Sequence, residues 1–326
     1  MTIKPIRSVT AAEIEQFNRD GVVWLRSIID PADAVAVGDR IDDAINHERG
    51  FLLDLTAFGQ FADNQNVEQR VKSDDFAAAA AQQGAEIGGH WDDPAYIGGA
   101  VLRDPEIIEA GSPGRFISFN DAWHDMPFVR ELGIDSEIPA IAAQLLGSQT
   151  VRWYSDQILV KDPLTAERTA WHQDLAYEYI GGEHAIGLRV MADPEDAEVG
   201  TVEYWRGSHA DGTVYKCNYF ISDRAAETDP GADLPPIEEN KDSYDIVTFE
   251  PQPGDIVAHH LRTVHGAGGN LSKTRRRRAV TLRYTGDDSH FLFRPCAPPQ
   301  GFGRLLDDGQ PFSRAEDHFP RCWPKG

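Results

Sequence analysis

The chain has 326 residues, 41% hydrophobic and 26% charged, an ordinary balance for a soluble globular protein with a sizeable buried core. Its formal net charge of -22 excludes nucleic acid and anionic membrane surfaces as natural partners, because both repel so acidic a surface. The odd, widely spaced cysteines Cys217, Cys296 and Cys322, without a C-x-x-C, argue against a disulfide framework or zinc ribbon and for a reducing compartment. No signal-peptide pattern opens the chain and no run of about 18 apolar residues occurs, so the expected location is cytoplasmic, with no membrane span.

Thr10-Ala11-Ala12-Glu13 is a capping box ahead of Ile14 and Phe17 and predicts a first helix. Gly21 to Leu25 reads as a short buried strand. Asp30-Pro31 starts a second helix that carries Val35, Val37, Ile41 and Ile45. Residues 51 to 100, which mix Gly, Asp and Gln with an alanine run, predict loops and short helices, and 126 to 146 predict a helix ending at Gly147. From Thr150 the texture changes. Val151–Lys161, Ile186–Ala192, Thr201–Trp205, Asp245–Phe249, Asp255–His260 and Arg277–Tyr284 read as strands, with a long Pro-rich excursion from Ala210 to Ser243. Helices followed by many short strands predict an α+β chain: one domain over 1–326, with a helical part to about 149, a jelly-roll (cupin-like) core over about 150–295 and a tail over about 296–326.

Two histidines and one carboxylate on one face of a metal, with the other positions open, suit non-haem iron chemistry. A strand end supplies the first pair as His-x-Asp, because residues i and i+2 point the same way. Three such pairs occur: His90/Asp92, His172/Asp174 and His209/Asp211. Only His172 follows a strand and has a second histidine at a workable distance downstream. His259, His260 and His265 compete for that distal position, and His265 is preferred because the arginine run 275–278 lies just beyond it. These arginines open the apolar strand Ala279–Tyr284, so one should face the barrel interior, where a buried guanidinium needs a carboxylate; the distal carboxylate of 2-oxoglutarate would supply it.

With these motifs the chain resembles the phytanoyl-CoA dioxygenase family of 2-oxoglutarate oxygenases over most of its length. Thr10 to Leu25 resembles the family's opening helix and strand. Trp171-His172-Gln173-Asp174 after Ile158–Lys161 resembles its proximal metal motif, and Arg206-Gly207-Ser208-His209 resembles its Pro-Gly-Ser-His turn. Pro253-Gly254-Asp255 and His265-Gly266, with Asn270-Leu271-Ser272, resemble its distal motif. The resemblance implies a double-stranded β-helix with flanking N-terminal helices. It also implies Fe(II) on His172, Asp174 and His265, with 2-oxoglutarate held by an arginine after the distal histidine, and O2 as oxidant. Family spacing points to Arg276 for that arginine. Strand parity points to Arg277, which shares a face with Ala279 and Thr281.

Two departures from the family stand out: Ala267 where serine is common, and Arg189 where tryptophan is common. Arg189 would form a rim salt bridge or read an acidic group. Gln157 is a further candidate for a polar contact with the cosubstrate. Trp171, Tyr177 and Tyr179 flank the proximal ligands, as core residues or as pocket walls. Arg189 and Arg283, if inward-facing, hint at a small anionic substrate. The expected reaction is hydroxylation of an unactivated C–H bond in a small molecule, with release of succinate and CO2. The rival readings are a cupin-like metal-dependent isomerase or hydrolase, which needs no arginine facing the metal, and a non-catalytic jelly-roll binding module, which needs neither metal nor arginine.

Overall fold

The computed structural model describes residues 3–47, 52–56, 101–110, 114–225, 227–298, 300 and 302–325. The expected features at Ala77–Ala81 and His90/Asp92 lie outside these residues.

Helix α1 (Ala11–Asp20) begins as its sequence dictates: Thr10 Oγ1 accepts from Glu13 N, and the Glu13 carboxylate accepts from Thr10 N at 2.8 Å. It ends at Gly21, whose left-handed φ of 71° suits glycine and turns the chain directly into the first strand. Helix α2 (Pro31–Asn46) has Asp30 as N-cap, accepting from Ala32 N at 2.9 Å, and buries Ala34, Val37, Ile41 and Ala44. Helices α3 (Pro105–Ala110), α4 (Pro127–Arg130) and α5 (Pro139–Leu146) follow along the described residues.

The single helix expected over 126–146 is broken. A wide turn, Glu131–Asp135, follows α4, and Ser136 is extended. The Ser136 hydroxyl donates to Leu132 O at 2.5 Å and accepts from Ile138 N, satisfying groups that a continuous helix would have paired. Pro139 has no N–H to continue the ladder and instead opens α5.

The chain is α+β, and its strands pair antiparallel in two main sheets. The larger has the order β1 (Val22–Leu25), β10 (Ile256–His260), β7 (Ala185–Met191), β12 (Arg277–Thr285), β4 (Val151–Lys161), β3 (Phe116–Asn120) and β2 (Leu52–Asp54), with β14 (Arg321–Trp323) also on β4. The smaller has the order β5 (Thr169–His172), β11 (His265–Ala267), β8 (Val202–Trp205) and β9 (Ile246–Thr248). A short pair joins β6 (Ile180–Gly181) to β13 (His290–Phe291). Strand β2 lies where loops and short helices were expected, and the C-terminal segment returns to the sheet as β14.

Alternation along the large sheet sorts its side chains. Ile158 and Val160 of β4, Ile186, Leu188 and Val190 of β7, and Val280, Leu282 and Tyr284 of β12 share one core with Phe17 of α1, Val37 and Ile41 of α2, and Ile141 and Leu145 of α5. Each such aliphatic side chain contributes about 1.5–3 kcal/mol on burial. The intervening residues, Gln157, Arg189, Arg277, Thr281 and Arg283, face a cavity. Thr169, His172, Val202, Tyr204, His265 and Ala267 of the smaller sheet close it from the other side. A slip of β12 by one residue would put arginines under the helices, so the apolar core fixes which face the cavity receives. The cavity measures about 400 Å3, including space open to solvent.

Candidate metal centre

His172 ends β5 and Asp174 follows one extended residue later, so both side chains emerge on one side. His265 opens β11 directly opposite His172 in the antiparallel register, which brings the two ring centroids to 4.2 Å. One donor atom from each of His172, Asp174 and His265 lies within 4.8 Å of the other two. Asp174 Oδ1 is 3.5 Å from His172 Nε2 and 3.8 Å from His265 Nε2.

The tautomers follow from the hydrogen bonds. His172 Nδ1 lies 2.8 Å from Ala170 O, and His265 Nδ1 lies 2.9 Å from Thr263 O. A carbonyl only accepts, so each Nδ1 carries the proton and each Nε2 presents a lone pair toward Asp174. Burial and the neighbouring His172 hold the His265 imidazole well below its usual pKa, hence neutral. Two imidazole nitrogens and a carboxylate are a donor set that fits an Fe(II) ion.

The second oxygen of Asp174 is engaged by protein. Oδ2 accepts from Arg283 Nε at 3.0 Å and lies 3.1 Å from His259 Nε2. Burial works against the ionised carboxylate, but Arg283 and the imidazoles outweigh it and hold Asp174 well below the usual carboxylate range. Arg283 also donates to Gln157 Oε1 at 3.1 Å and lies 3.6 Å from the buried Glu178, whose carboxyl burial pushes up to about 8.

Gln173, between the two ligands, is a tie. Its amide nitrogen donates to Thr213 O at 3.0 Å and Arg262 O at 2.8 Å, and its Oε1 accepts from Tyr215 N at 2.9 Å. The 206–245 excursion is thereby laced to the metal strand. Its Phe220, at a left-handed φ of 61°, stacks edge-on to His172 at 5.3 Å and accepts from Ala170 N at its carbonyl. Tyr177 packs at 5.5 Å on the same imidazole, its hydroxyl donating to Asn218 Oδ1 at 2.5 Å.

At the other end of the cavity Arg277 is buried, donates through Nη1 to Gly200 O, and has its Nε 3.5 Å from Glu195 Oε1. Burial and the neighbouring Arg189 lower its pKa to about 10, so it stays cationic. Arg276 points away from the cavity, bridging Asp162 and Asp42 at 2.7 Å each, which corrects its place among the cosubstrate contacts. Arg189 is no rim residue: it is buried in a bidentate pair with Glu195 at 2.9 and 2.5 Å. Trp171 faces away from the cavity, packing with Ile237 and Val264 and donating to Glu238 Oε2 at 2.9 Å. Strand parity could have foretold this, since residue 171 alternates with His172. His209, of the third His-x-Asp pair, sits against Gly21 and His260.

Among the cavity residues that sequence reasoning missed are Tyr204, which stacks on His265 at 5.6 Å, Phe220, and His259 in its role beside Asp174. His259 reaches Asp174 because Gly187 opposite has no Cβ; a Cβ there would lie 2.6 Å from His259 Cε1.

The protein-family model described as phytanoyl-CoA dioxygenase (PhyH) matches residues 17–279. A phytanoyl-CoA dioxygenase of Arabidopsis thaliana is 21% identical over 282 residues, covering 86% of this chain and 90% of that protein. Among solved structures, the non-haem α-ketoglutarate-dependent carbocyclase SnoK of nogalamycin biosynthesis aligns with a TM-score of 0.58, at 20% identity over 93% of each chain. The epimerase SnoN, in complex with Fe3+, α-ketoglutarate and nogalamycin RO, aligns with a TM-score of 0.54, at 20% identity over 95% of this chain and 97% of that one. With a family match across most of its length and the fold of these proteins, the chain belongs to the phytanoyl-CoA dioxygenase family, a 2-oxoglutarate-dependent non-haem iron dioxygenase.

Proposed function

We propose that His172, Asp174 and His265 hold the iron, that Arg277 binds the distal carboxylate of 2-oxoglutarate, and that the enzyme hydroxylates an unactivated C–H bond of a small organic molecule. The observation that carries this reading is the shared cavity, with a two-histidine, one-carboxylate donor set at one end and a buried guanidinium at the other. Bound iron, with 2-oxoglutarate and O2, supplies the oxidising power, and succinate and CO2 leave as co-products. The chain's own part is positional. The carbonyls of Ala170 and Thr263 aim the two Nε2 lone pairs, Arg283 and His259 occupy Asp174 Oδ2 and leave Oδ1 for the metal, and Arg277 fixes the cosubstrate's orientation. The retained carboxylate ligand favours hydroxylation over halogenation.

The substrate is neutral in this reading, contrary to the anionic one the sequence hinted at. The two arginines behind that hint are already engaged, Arg189 by Glu195 and Arg283 by Asp174 and Glu178. Phe220 gives the cavity wall next to His172 an aromatic character suited to a mostly apolar molecule, while Tyr177 backs the same imidazole without lining the cavity. The two sheets around the cavity support a double-stranded β-helix within one domain. The buried thiols of Cys217 and Cys322 support a cytoplasmic location, and among the described residues no helix is long and apolar enough to cross a membrane.

The test is anaerobic titration of metal-free protein with Fe(II) and then 2-oxoglutarate, following the visible charge-transfer band of the chelated keto acid. The band is expected in the wild type, absent in His172→Ala and His265→Ala, and weakened in Arg277→Ala. Fe(II) binding with no band would refute the cosubstrate assignment and bring the isomerase reading forward.

A further inference from the structure

Three charged side chains meet at the end of the cavity away from the metal, all buried: Arg189 and Glu195 at 4% and 1% exposure, and Arg277 at 4%. Glu195 is taken almost wholly by Arg189. Its Oε2 accepts from Arg189 Nη1 at 2.9 Å and lies 3.4 Å from the Thr201 hydroxyl, and its Oε1 accepts from Arg189 Nη2 at 2.5 Å. The same Oε1 is 3.5 Å from Arg277 Nε, a long contact. Two guanidiniums and one carboxylate leave one buried positive charge. Lys161, opposite Arg277 in the β4–β12 register, donates to the carbonyls of Glu167 and Gly268, at 2.9 and 2.6 Å.

We propose that Arg189 is a positioning residue for the cosubstrate: by holding Glu195 in a bidentate pair, it keeps that carboxylate off Arg277 and leaves Arg277 for the distal carboxylate of 2-oxoglutarate. This rests on the assignment of Arg277 above and adds a competitor to it. A buried carboxylate must have a cationic partner, and Glu195 has two within reach. The planar fork of Arg189 satisfies both its oxygens at once, at 2.9 and 2.5 Å, whereas Arg277 reaches only Oε1, at 3.5 Å. Without Arg189, Arg277 is the remaining arginine beside Glu195, so Glu195 would occupy the group that the cosubstrate needs.

The test is the equilibrium affinity of the Fe(II)-loaded protein for 2-oxoglutarate under anaerobic conditions, which reads binding and not turnover. Arg189→Met is expected to weaken binding at least about thirtyfold. The double variant Arg189→Met/Glu195→Met is expected to return to within about threefold of wild type, because the competitor leaves with its keeper. Glu195→Gln alone is expected to tighten binding severalfold. Fe(II) affinity, measured alongside, should be unchanged in all three variants. A double variant as weak as the single would overturn the inference, since Arg189 would then act by direct contact. A tenfold loss in Glu195→Gln would also overturn it, and that conservative variant decides the matter alone if Arg189→Met does not fold. No binding by the wild-type protein removes the cosubstrate assignment and this inference with it; wild-type binding without rescue removes only this inference.

Discussion

Replacing Arg283 by methionine takes away the one guanidinium that Asp174 and Glu178 share. With an effective dielectric constant of about 20, the attraction to Asp174 at 3.0 Å is about 5–6 kcal/mol, while Glu178, raised to about 8, is mostly protonated at neutral pH and adds little charge. Desolvation of the two buried charges offsets part of this, so the net loss on removing the cation is about 3–5 kcal/mol, chiefly the cost of a buried Asp174 carboxylate left without a cation. Methionine keeps the length of the side chain and fills the space, so the loss is electrostatic. Equilibrium unfolding in guanidinium chloride would show it as a fall in midpoint with an unchanged slope. Metal affinity should fall by about 10–100-fold, because Asp174 Oδ2 keeps only His259. The sign of the pH effect is set by Asp174. Arg283 is the largest favourable influence on its ionised form, so in the variant its pKa rises, and protons displace metal at a higher pH than in the wild type. Calorimetric titration with Co(II) at several pH values reads both effects. Arg283→Lys should recover part of the stability and little of the metal affinity, because an ammonium cannot present the same fork to Asp174 and Gln157. Wild-type Co(II) affinity in Arg283→Met, with a stability loss under about 1 kcal/mol, would refute the reasoning.

Two further outcomes follow from neighbours of the centre. Gly187→Ala places a Cβ 2.6 Å from His259 Cε1 and must push that ring from Asp174; a loss of about 1–3 kcal/mol in stability and a several-fold loss in metal affinity are expected, and unchanged affinity would show that His259 is dispensable. Glu178 titrates near 8 in the folded chain, raised by burial against the opposing pull of Arg283, and near 4.3 when unfolded. Its contribution to stability is therefore fully present below about pH 4 and is lost as pH rises to about 8, and Glu178→Gln should flatten that decline in thermal unfolding scans.

Parts of this structure are written locally in the chain. The Thr10/Glu13 capping box and the Asp30-Pro31 start rest on neighbours a few positions away and form as the local chemistry requires, and the eleven-residue β4, though paired with distant strands, is long enough for its pattern to show. The parity that separates Arg277 from Arg276 is local too, because Val280, Leu282 and Tyr284 must go under the helices. The short strands β5, β11 and β14 span four residues or fewer, too little for a period to show, and exist only through partners far along the chain. The same reason hides the role of His259, which depends on the absence of a side chain at Gly187, one strand away. Glu195 carries no motif at all; only its burial between two arginines makes it part of the site.

The tie at Gln173 bears on how such a protein can be altered. Because the residue between the two ligands holds Thr213, Tyr215 and Arg262 together, the excursion over the cavity and the metal strand form one mechanical unit. New loops cannot be grafted over the cavity as interchangeable parts. A transplanted excursion that fails to offer a carbonyl and an N–H to Gln173 would leave its buried amide unpaired and loosen the segment that sets both ligands. Selectivity for substrate and grip on the metal are thus inherited together, and an engineered change in one should be sought together with a compensating change at position 173.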